Sequence, residues 1–226
     1  VVGDGKPRVS GHTTYRSVIP TEEMPEDLRW NAATLWAGPK CHIVHYPLSG
    51  WKMFNLVVTY HNDAPEPVAG KPVSHDEVRK GFEHVNATAR QIIDRGQNWK
   101  RWVLCDREPV SNWIDGRVVL LGDAAHGVHP IHAQGFNMGI GDVDVLVAEL
   151  AAARARGRAP GGEALRRYER KRMAANAERL RMTDGLNRLF SNDLLPLEPA
   201  RRAVLGALAS SSWLRRRAIR HGMQVA

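Results

Sequence analysis

The stretch Arg117–Asp142, RVVLLGDAAHGVHPIHAQGFNMGIGD, constrains the fold of this chain more than any other segment. Its apolar run Val118–Leu121 is typical of a strand buried on both faces. Asp123 follows at the carboxyl end of that strand, where open α/β sheets bind ligands. Gly135 then opens a helix, and a helix N-terminus offers unpaired backbone N–H groups and the positive end of a dipole. This order indicates a site for a phosphate-bearing cofactor.

The same string resembles the second flavin-binding motif of the FAD-dependent aromatic hydroxylases, the p-hydroxybenzoate hydroxylase-like flavoprotein monooxygenases. That motif runs Gly-Asp-Ala-Ala-His, a proline a few residues on, and then Gly-Gln-Gly-x-Asn-x-Gly-x-x-Asp. Ala133 stands where the family has the glycine before glutamine. The matching residues here are Gly122-Asp123-Ala124-Ala125-His126, Pro130, Gln134-Gly135, Asn137, Gly139 and Asp142.

The resemblance implies a mixed α+β or α/β fold, the C-terminal part of a p-hydroxybenzoate hydroxylase-like flavoprotein. Three regions are expected. Residues 1–110 would form an antiparallel substrate-binding sheet with helices, 111–157 the strand, loop and helix of the second FAD-binding motif, and 158–226 a basic region of C-terminal helices.

By the same resemblance, the function is hydroxylation of a phenolic ring, such as that of a hydroxybenzoate-like acid, with FAD, NADH or NADPH, and O₂. Residues of about 8–126 resemble 3-hydroxybenzoate 6-hydroxylase and salicylate hydroxylase, through GHTTYRSVIP and NWIDGRVVLLGDAAH. Residues of about 128–226 resemble the ubiquinone-biosynthesis hydroxylases, through HPIHAQGFNMGIGDVDVL and RYERKR. Two alternatives therefore stay open: a polyprenyl phenol hydroxylase, and a truncated flavoprotein fragment without catalysis.

A G-x-G-x-x-G turn holds the ADP half of FAD in this family. The candidate here is Gly3-Asp4-Gly5, but Arg8 stands where the third glycine belongs and no helical pattern follows. We therefore expect the N-terminal FAD-binding unit to be absent from a truncated or joined sequence. The isolated chain is then expected to be a poor enzyme that retains no flavin.

The resemblance also assigns residues to the cofactor. Asp123 would accept hydrogen bonds on the ribityl and pyrophosphate side of FAD. Backbone N–H groups at the start of the helix would face the N1–C2 edge of the flavin, which is negative when reduced. The predicted cofactor-binding residues are Gly122, Asp123, His126, Pro130, Gln134, Gly135, Phe136 and Asn137.

Four residues are predicted to be catalytic: His12, Tyr15, Pro130 and Gln134. Related hydroxylases place a histidine and a tyrosine near the phenol in the segment that holds His12 and Tyr15. A base there would make the ring more phenolate-like. A pair of sheet residues without chemistry is an equally good interpretation. Weaker candidates of the same kind are His42, His45 and Tyr46.

Three histidines, His126, His129 and His132, raise the alternative of a metal site. A metal site needs converging ligands fixed by further partners, and no nearby Cys or Glu completes one. The flavin motif already accounts for His126, so we expect no metal.

Charge is unevenly distributed: residues 151–226 hold 17 Lys+Arg and 6 Asp+Glu, within a net charge of +8 for the chain. We expect Tyr168, Arg170, Arg172 and the cluster Arg215-Arg216-Arg217 to lie on solvated helix faces. A weak peripheral membrane contact and a homodimer stay open. Nucleic-acid binding is not expected, since no recognition fold accompanies the charge. No apolar run spans a bilayer, and Cys41 and Cys105 are expected as free thiols in the cytoplasm.

Secondary structure is predicted from patterns of apolar residues and turn signals. Strands are expected at 8–20 and at 99–104, with a hairpin of Cys41–Tyr46 and Met53–Tyr60. Ser74 and Glu77 form a capping box ahead of the apolar stripe Val78, Phe82 and Val85. Further helices are expected over 88–94, from Phe136 with an apolar face of Val143, Leu146, Val147 and Leu150, over 163–186, and over 201–221.

Overall fold

The computed structural model describes residues 8–106, 109–128, 134–190 and 198–223. They form two compact units. The first, the sheet unit, comprises residues 8–105 together with Phe190. The second, the helical unit, comprises the other described residues of 106–189 and of 198–223. The regions expected as 111–157 and 158–226 thus share one unit.

A six-stranded sheet with strand order β2-β3-β4-β1-β6-β5 dominates the sheet unit. The predicted hairpin is confirmed: β3 and β4 pair antiparallel, and β1 and β2 pair antiparallel with β4 and β3. The strands are β1 Arg8–Pro20, β2 Thr34–Gly38, β3 Cys41–Leu48, β4 Met53–His61, β5 Lys71–Pro72 and β6 Lys100–Asp106.

The two faces of this sheet differ in character because successive side chains of a strand point to opposite sides. One face, here called the core face, packs against two short helices, α1 His75–Arg79 and α2 Ala87–Arg95. Its buried residues include Tyr15, Ile19, Ile43, Phe54, Leu56 and Val58. The opposite face, here called the polar face, carries His12, Thr14, His42, Thr59 and His61 in neighbouring register.

Both short helices begin with a side-chain cap. The Ser74 Oγ accepts a hydrogen bond from the Glu77 backbone N–H at 3.2 Å, which is one half of the predicted capping box. The Glu77 carboxylate accepts the Arg101 Nη1–H at 2.8 Å. The Asn86 Oδ1 likewise accepts the Ala89 N–H at 2.8 Å. The expected helical stripe from Val78 onward is only partly correct, because α1 ends at Arg79 and Phe82 reaches the core from the turn that follows.

The helical unit contains a small hairpin and four helices. β7 Ile114–Asp115 pairs antiparallel with β8 Val118–Val119, and a 3-10 turn Gly122–Ala124 follows. The helices are α3 Gln134–Ala155, α4 Gly162–Phe190, α5 Glu198–Ser210 and α6 Ser212–Met223. No helix in the described part of the chain combines the length and apolarity that crossing a bilayer requires.

The prediction of a strand buried on both faces at Val118–Leu121 is wrong for this structure. Only two residues form β8, Val118 is 52 % exposed, and Leu121 is also exposed. Among the described residues, β8 pairs with β7 alone. A strand is buried on both faces only where neighbouring elements cover it, and in the described part of the chain only Val119 and Leu120 of this run pack against buried neighbours.

The predicted apolar face of α3 is only partly correct, since Leu146 packs against a buried cluster that includes Trp113 and Tyr168. Val143 and Val147 are exposed, the latter by 59 %, and they continue an outer apolar stripe with Phe136 and Ile140. The inner face instead carries buried residues at helical spacing, namely Met138, Asp142, Glu149 and Ala153. Polar side chains occupy this face because partners on α4 neutralise them.

The helix predicted over 201–221 consists of two helices. α5 ends at Ser210 and α6 starts at Ser212. Between them the Ser211 Oγ accepts the Leu214 backbone N–H at 3.3 Å, which caps α6. A serine run offers such local hydrogen bonds in place of a continuous helix.

Candidate flavin site

The flavin-motif loop is fixed to the helical unit by the carboxylate of Asp142. This side chain is completely buried on the inner face of α3. Its Oδ2 accepts the Gly122 backbone N–H at 2.8 Å and the His126 Nε2–H at 2.5 Å. One carboxylate thus holds both ends of the Gly-Asp-Ala-Ala-His segment. Asp123, between those ends, takes its position from these bonds.

The second oxygen of Asp142 is held from α4. The Arg172 Nε donates to Oδ1 at 2.7 Å, and the Asn176 Nδ2 donates to the same atom at 3.3 Å. The Arg172 Nη2 also donates to the Met138 carbonyl at 3.1 Å and to the Asn176 Oδ1 at 2.9 Å. Asp142, His126 and Arg172, together with Asn176, are called the Asp142 cluster below.

Ionisation of Asp142 is maintained by these bonds. Burial alone would raise the pKa of Asp142, but hydrogen bonds from His126, Arg172 and Gly122 outweigh burial and hold that pKa at about 2. A buried carboxylate without such partners would be strongly destabilising. The cluster is therefore a buried, charged anchor between the loop, α3 and α4.

The Asp142 cluster requires a residue without a side chain at position 141. A Cβ added at Gly141 would lie 3.0 Å from the Arg172 Nη2 and 3.2 Å from its Cζ. The guanidinium therefore occupies the space that a side chain would take. The Gly-Asp pair near the end of the motif thus combines a space for the cation with the anion that binds it.

Buried aromatic residues pack against the flavin-motif loop. The Trp113 ring lies 5.4 Å from the His126 ring and 5.9 Å from the Tyr168 ring, centroid to centroid. The Tyr168 hydroxyl donates to the Leu120 carbonyl at 3.0 Å, immediately before the loop. Burial raises the pKa of Tyr168, so this phenol stays protonated and can donate.

A second set of ion pairs fixes α4 against α3. The Glu149 carboxylate accepts the Lys171 Nζ–H at 2.6 Å and the Arg167 Nε–H at 2.7 Å. These bonds, that of Lys171 foremost, lower the pKa of Glu149. The inner face of α3 is thus held to α4 at two places, Asp142 and Glu149.

Asp123 and the first turn of α3 form the exposed part of the site. Asp123 is solvent-exposed, and its Oδ1 lies 3.3 Å from the point that a Cβ on Gly135 would occupy. The carboxylate therefore lies directly beside the first turn of α3, where backbone N–H groups lack helical partners. Hydroxyl donors can bind the carboxylate while an anionic or carbonyl edge meets the N–H groups. These two features fit the sugar and ring portions of a flavin.

The predicted cofactor residues divide into exposed and buried groups. Phe136 is 79 % exposed at the start of α3, whereas His126 is buried within the Asp142 cluster. Gly122, Gly135 and Asn137 are partly buried. Pro130 lies outside the described residues, as do His129 and His132, and only the backbone of Gln134 is described. Within the described ranges, no three His, Cys, Asp or Glu side chains are placed to hold a metal ion.

The two catalytic residues predicted on β1 are not brought together. His12 and Tyr15 are three positions apart in a regular stretch of antiparallel pairing, so their side chains lie on opposite faces. Tyr15 belongs to the core cluster, where burial and then the Glu77 charge raise its pKa. His12 lies on the polar face with His42, whose pKa burial lowers to about 4. The weaker candidate His45 is fully buried on the core face.

The central role of Asp142 and Arg172 was not predicted from the sequence. The prediction of a solvated face for Tyr168 and Arg172 is wrong, since Tyr168 is completely buried and Arg172 is 6 % exposed. The signal was available in the spacing: Leu165, Tyr168, Arg172 and Asn176 recur every three or four residues, which places them on one side of a helix. Arg170 is exposed, as expected.

The fold and the loop define a flavin-binding protein. The family model described as "FAD binding domain" matches residues 18–183, and the chain belongs to that family. It is 56 % identical over 177 residues to 3-hydroxybenzoate 6-hydroxylase 1 of Aquipseudomonas alcaligenes, covering 78 % of this chain and 44 % of that protein. It is 44 % identical over 117 residues to the ubiquinone hydroxylase UbiL of Rhodospirillum rubrum, covering 51 % of this chain and 27 % of that one. The chain thus spans less than half the length of these two relatives.

Solved structures support the fold. A salicylate hydroxylase in complex with substrate has a TM-score of 0.72 at 20 % identity, over 90 % of this chain and 54 % of that one. Klebsiella pneumoniae HpxO complexed with FAD and uric acid has a TM-score of 0.72 at 22 % identity, over 96 % of this chain and 53 % of that one. The predicted mixed fold of a flavoprotein hydroxylase is therefore confirmed.

Proposed function

We propose that this chain supplies the substrate-binding sheet and the ring and ribityl side of the flavin site of an FAD-dependent monooxygenase. Its substrate is a small phenolic acid of the hydroxybenzoate class, with NAD(P)H and O₂ as co-substrates. The observation that carries the proposal is the position of Asp123, an exposed carboxylate beside the first turn of α3 that the buried Asp142 cluster holds in place. When bound, FAD supplies the oxygen-transfer chemistry.

The residues of this chain bind and orient the reacting groups. Asp123 accepts hydrogen bonds from ribityl hydroxyls, and the N–H groups at the start of α3 stabilise negative charge on the flavin ring. Pro130 and Gln134 are proposed to contact the ring side. His12, on the polar face, accepts the phenolic proton and so makes the ring more electron-rich. Tyr15 is left out of this role because it lies in the core.

Small phenolic acids are favoured over polyprenyl phenols because the stronger similarity is to a hydroxybenzoate hydroxylase. The polar face also carries three histidines and the bonded hydroxyl pair of Thr14 and Thr59, which are 2.9 Å apart. His12, Thr14 and Thr59 are buried, and such a polar lining suits a small polar ring. The similarity to UbiL supports a polyprenyl phenol as the second candidate substrate.

A chimera with the Aquipseudomonas relative tests the proposal, because this chain is 56 % identical to it. The chimera replaces the matching part of that hydroxylase with this chain. We expect flavin retention, NAD(P)H oxidation that depends on 3-hydroxybenzoate, and a product heavier by one oxygen atom. Asp123→Ala should lower flavin content, and the matched Asp144→Ala on α3 should not. A fully flavin-loaded chimera without turnover on any hydroxybenzoate or polyprenyl phenol would refute the proposal.

The basic C-terminal helix supports a further part of the proposal, a weak contact with anionic membrane surfaces. Trp213 is exposed on α6, and the Arg217 guanidinium lies 5.5 Å from its ring centroid. Arg215 and Arg216 are exposed beside it. Aromatic and basic residues together suit a lipid headgroup layer. Flotation with phosphatidylserine vesicles should fall when Arg215, Arg216 and Arg217 are changed to Ser, and unchanged flotation would discard this part.

A further inference from the structure

At the end of strand β4, His61 and the two residues after it pack against Gly11 of strand β1. Gly11 has φ +76°, and a Cβ there would lie 2.8 Å from the His61 Nε2. The Gly11 carbonyl accepts the backbone N–H groups of Asn62 at 3.0 Å and of Asp63 at 3.1 Å. Glycine adopts this conformation readily and leaves the space that the His61 ring occupies. The two backbone hydrogen bonds to Gly11 hold the chain next to His61 in place.

His61 lies flat against the proposed base. The rings of His12 and His61 are stacked, with centroids 4.4 Å apart and planes inclined by 12°. The His12 Nδ1 lies 3.0 Å from the Ser10 carbonyl oxygen, which can only accept, so Nδ1–H is the donor. In neutral His12, Nε2 therefore carries the lone pair that can accept a proton.

An acidic side chain also contacts His61 at its Nε2 atom. The Asp63 Oδ1 lies 3.3 Å from the His61 Nε2, and Asp63 is almost fully exposed. Among the described residues, His61 from β4 and Asp63 from the loop after β4 act on His12, and His12 in turn lowers the pKa of His42 on β3. Burial lowers the pKa of His12, and the charge of His61 lowers it further, while the Ser10 hydrogen bond and Asp63 raise it.

We propose that His61, held by Gly11 and Asp63, is a positioning residue that orients the His12 ring and keeps it unprotonated until it takes the phenolic proton. The inference rests on the proposed function. In the step itself the phenol O–H bond breaks and an N–H bond forms at the His12 Nε2. Phenol becomes phenolate and imidazole becomes imidazolium. The stacked His61 favours the neutral form of His12 beforehand because two like charges at this distance repel.

Proton NMR of the full 226-residue chain tests the inference without flavin. The His12 Cε1–H signal is assigned with His12→Gln and titrated in wild type, His61→Phe and His61→Gln. Both variants should raise the pKa of His12 by about half a pH unit or more, because the repelling charge is gone. The exposed His84, changed to Phe, is the matched control and should leave that pKa unchanged. Only His61 variants that keep the wild-type amide spectrum are compared. If the pKa of His12 is unchanged in them, the inference is overturned.

The chimera separates this inference from the proposed function. If His12 is the base, the acidic limb of its kcat–pH profile should move up by the same amount in His61→Phe and His61→Gln. A pKa shift by NMR with an unmoved limb means that the stacked pair works as inferred but His12 is not the base. An unmoved pKa in a chimera that still turns over hydroxybenzoate means that the inference alone fails.

Discussion

The Asp142 Oδ1 and the Arg172 Nε lie 2.7 Å apart in the interior of the helical unit, with the carboxylate side chain fully buried. The pair joins α3 to α4 at the level of the flavin-motif loop. Since Oδ2 of the same carboxylate holds Gly122 and His126, the position of Asp123 depends on Arg172, a buried residue of α4.

Replacing Arg172 should destabilise the chain strongly. Arg172→Ala leaves the Asp142 carboxylate buried without its cation, which typically costs about 3–5 kcal/mol. Arg170→Ala is the control, because this neighbouring arginine is exposed and should change stability by less than about 0.5 kcal/mol. Urea unfolding followed by circular dichroism measures both. Equal free energies of unfolding for the two variants would contradict the role of the pair.

A methyl group added at Gly141 should lower the stability of the folded chain, whereas one added at Gly185 should raise it. Gly141→Ala presses on the Arg172 guanidinium at 3.0 Å and should cost about 1–3 kcal/mol. Gly185→Ala meets nothing within 4 Å on α4 and should stabilise the chain by about 0.5–1 kcal/mol through helix propensity. Thermal unfolding of the two variants gives the signs directly, and stabilisation by both would rule out the steric argument.

Acid should weaken the chain through Asp142 between about pH 4 and pH 2. The folded state holds the pKa of Asp142 at about 2, below its ordinary value of 3.8. A lowered carboxylate pKa stabilises the folded state above the ordinary value, and this contribution is lost as the pH falls through the folded value. The loss is about 2 kcal/mol. Asp142→Asn should be less stable at pH 7 and should lack this pH dependence, which urea titrations at several pH values can measure.

His42 should produce a separate loss at milder acidity. Burial, and then the charge of His12, lower the pKa of His42 from 6.5 to about 4. Between pH 6.5 and 4, His42 is therefore protonated in the unfolded chain and neutral in the folded chain. The free energy of unfolding falls as the pH drops through this range. The contribution is about 2–3 kcal/mol. His42→Gln should reduce this dependence, while the exposed His84→Gln should retain it. A stability difference between pH 6.5 and 4 that is equal in His42→Gln and wild type would contradict the assignment.

The sheet and the motif helix were predictable because their signals are local. Alternating β-type residues from Arg8 to Pro20, and the Pro47–Gly50 turn signal, predict β1 and the β3–β4 hairpin from neighbours in sequence. The Ser74 cap is likewise contained in four residues. Burial of the Val118–Leu121 run was not predictable, since it depends on which elements cover the strand.

The Asp142 cluster shows why half of the site was missed. Charged residues on a helix usually face solvent, so Arg172 was expected there. Its burial depends on an acidic partner 30 residues earlier, on another helix, and on the missing side chain of Gly141. Single-sequence patterns describe one helix at a time and do not pair an acid on α3 with a base on α4.

Because successive side chains of β1 lie on opposite faces of the sheet, neighbouring positions in the sequence are under different selection. Even positions such as His12 and Thr14 face the polar side, whereas odd positions such as Tyr15 and Ile19 fill the core. Substitutions at the exposed even positions Arg16 and Val18 should therefore cost little folding stability, while the odd positions stay under selection for packing. A library randomised at the exposed even positions Arg16 and Val18 should yield mostly folded members, and one at Tyr15, Ser17 and Ile19 should yield few.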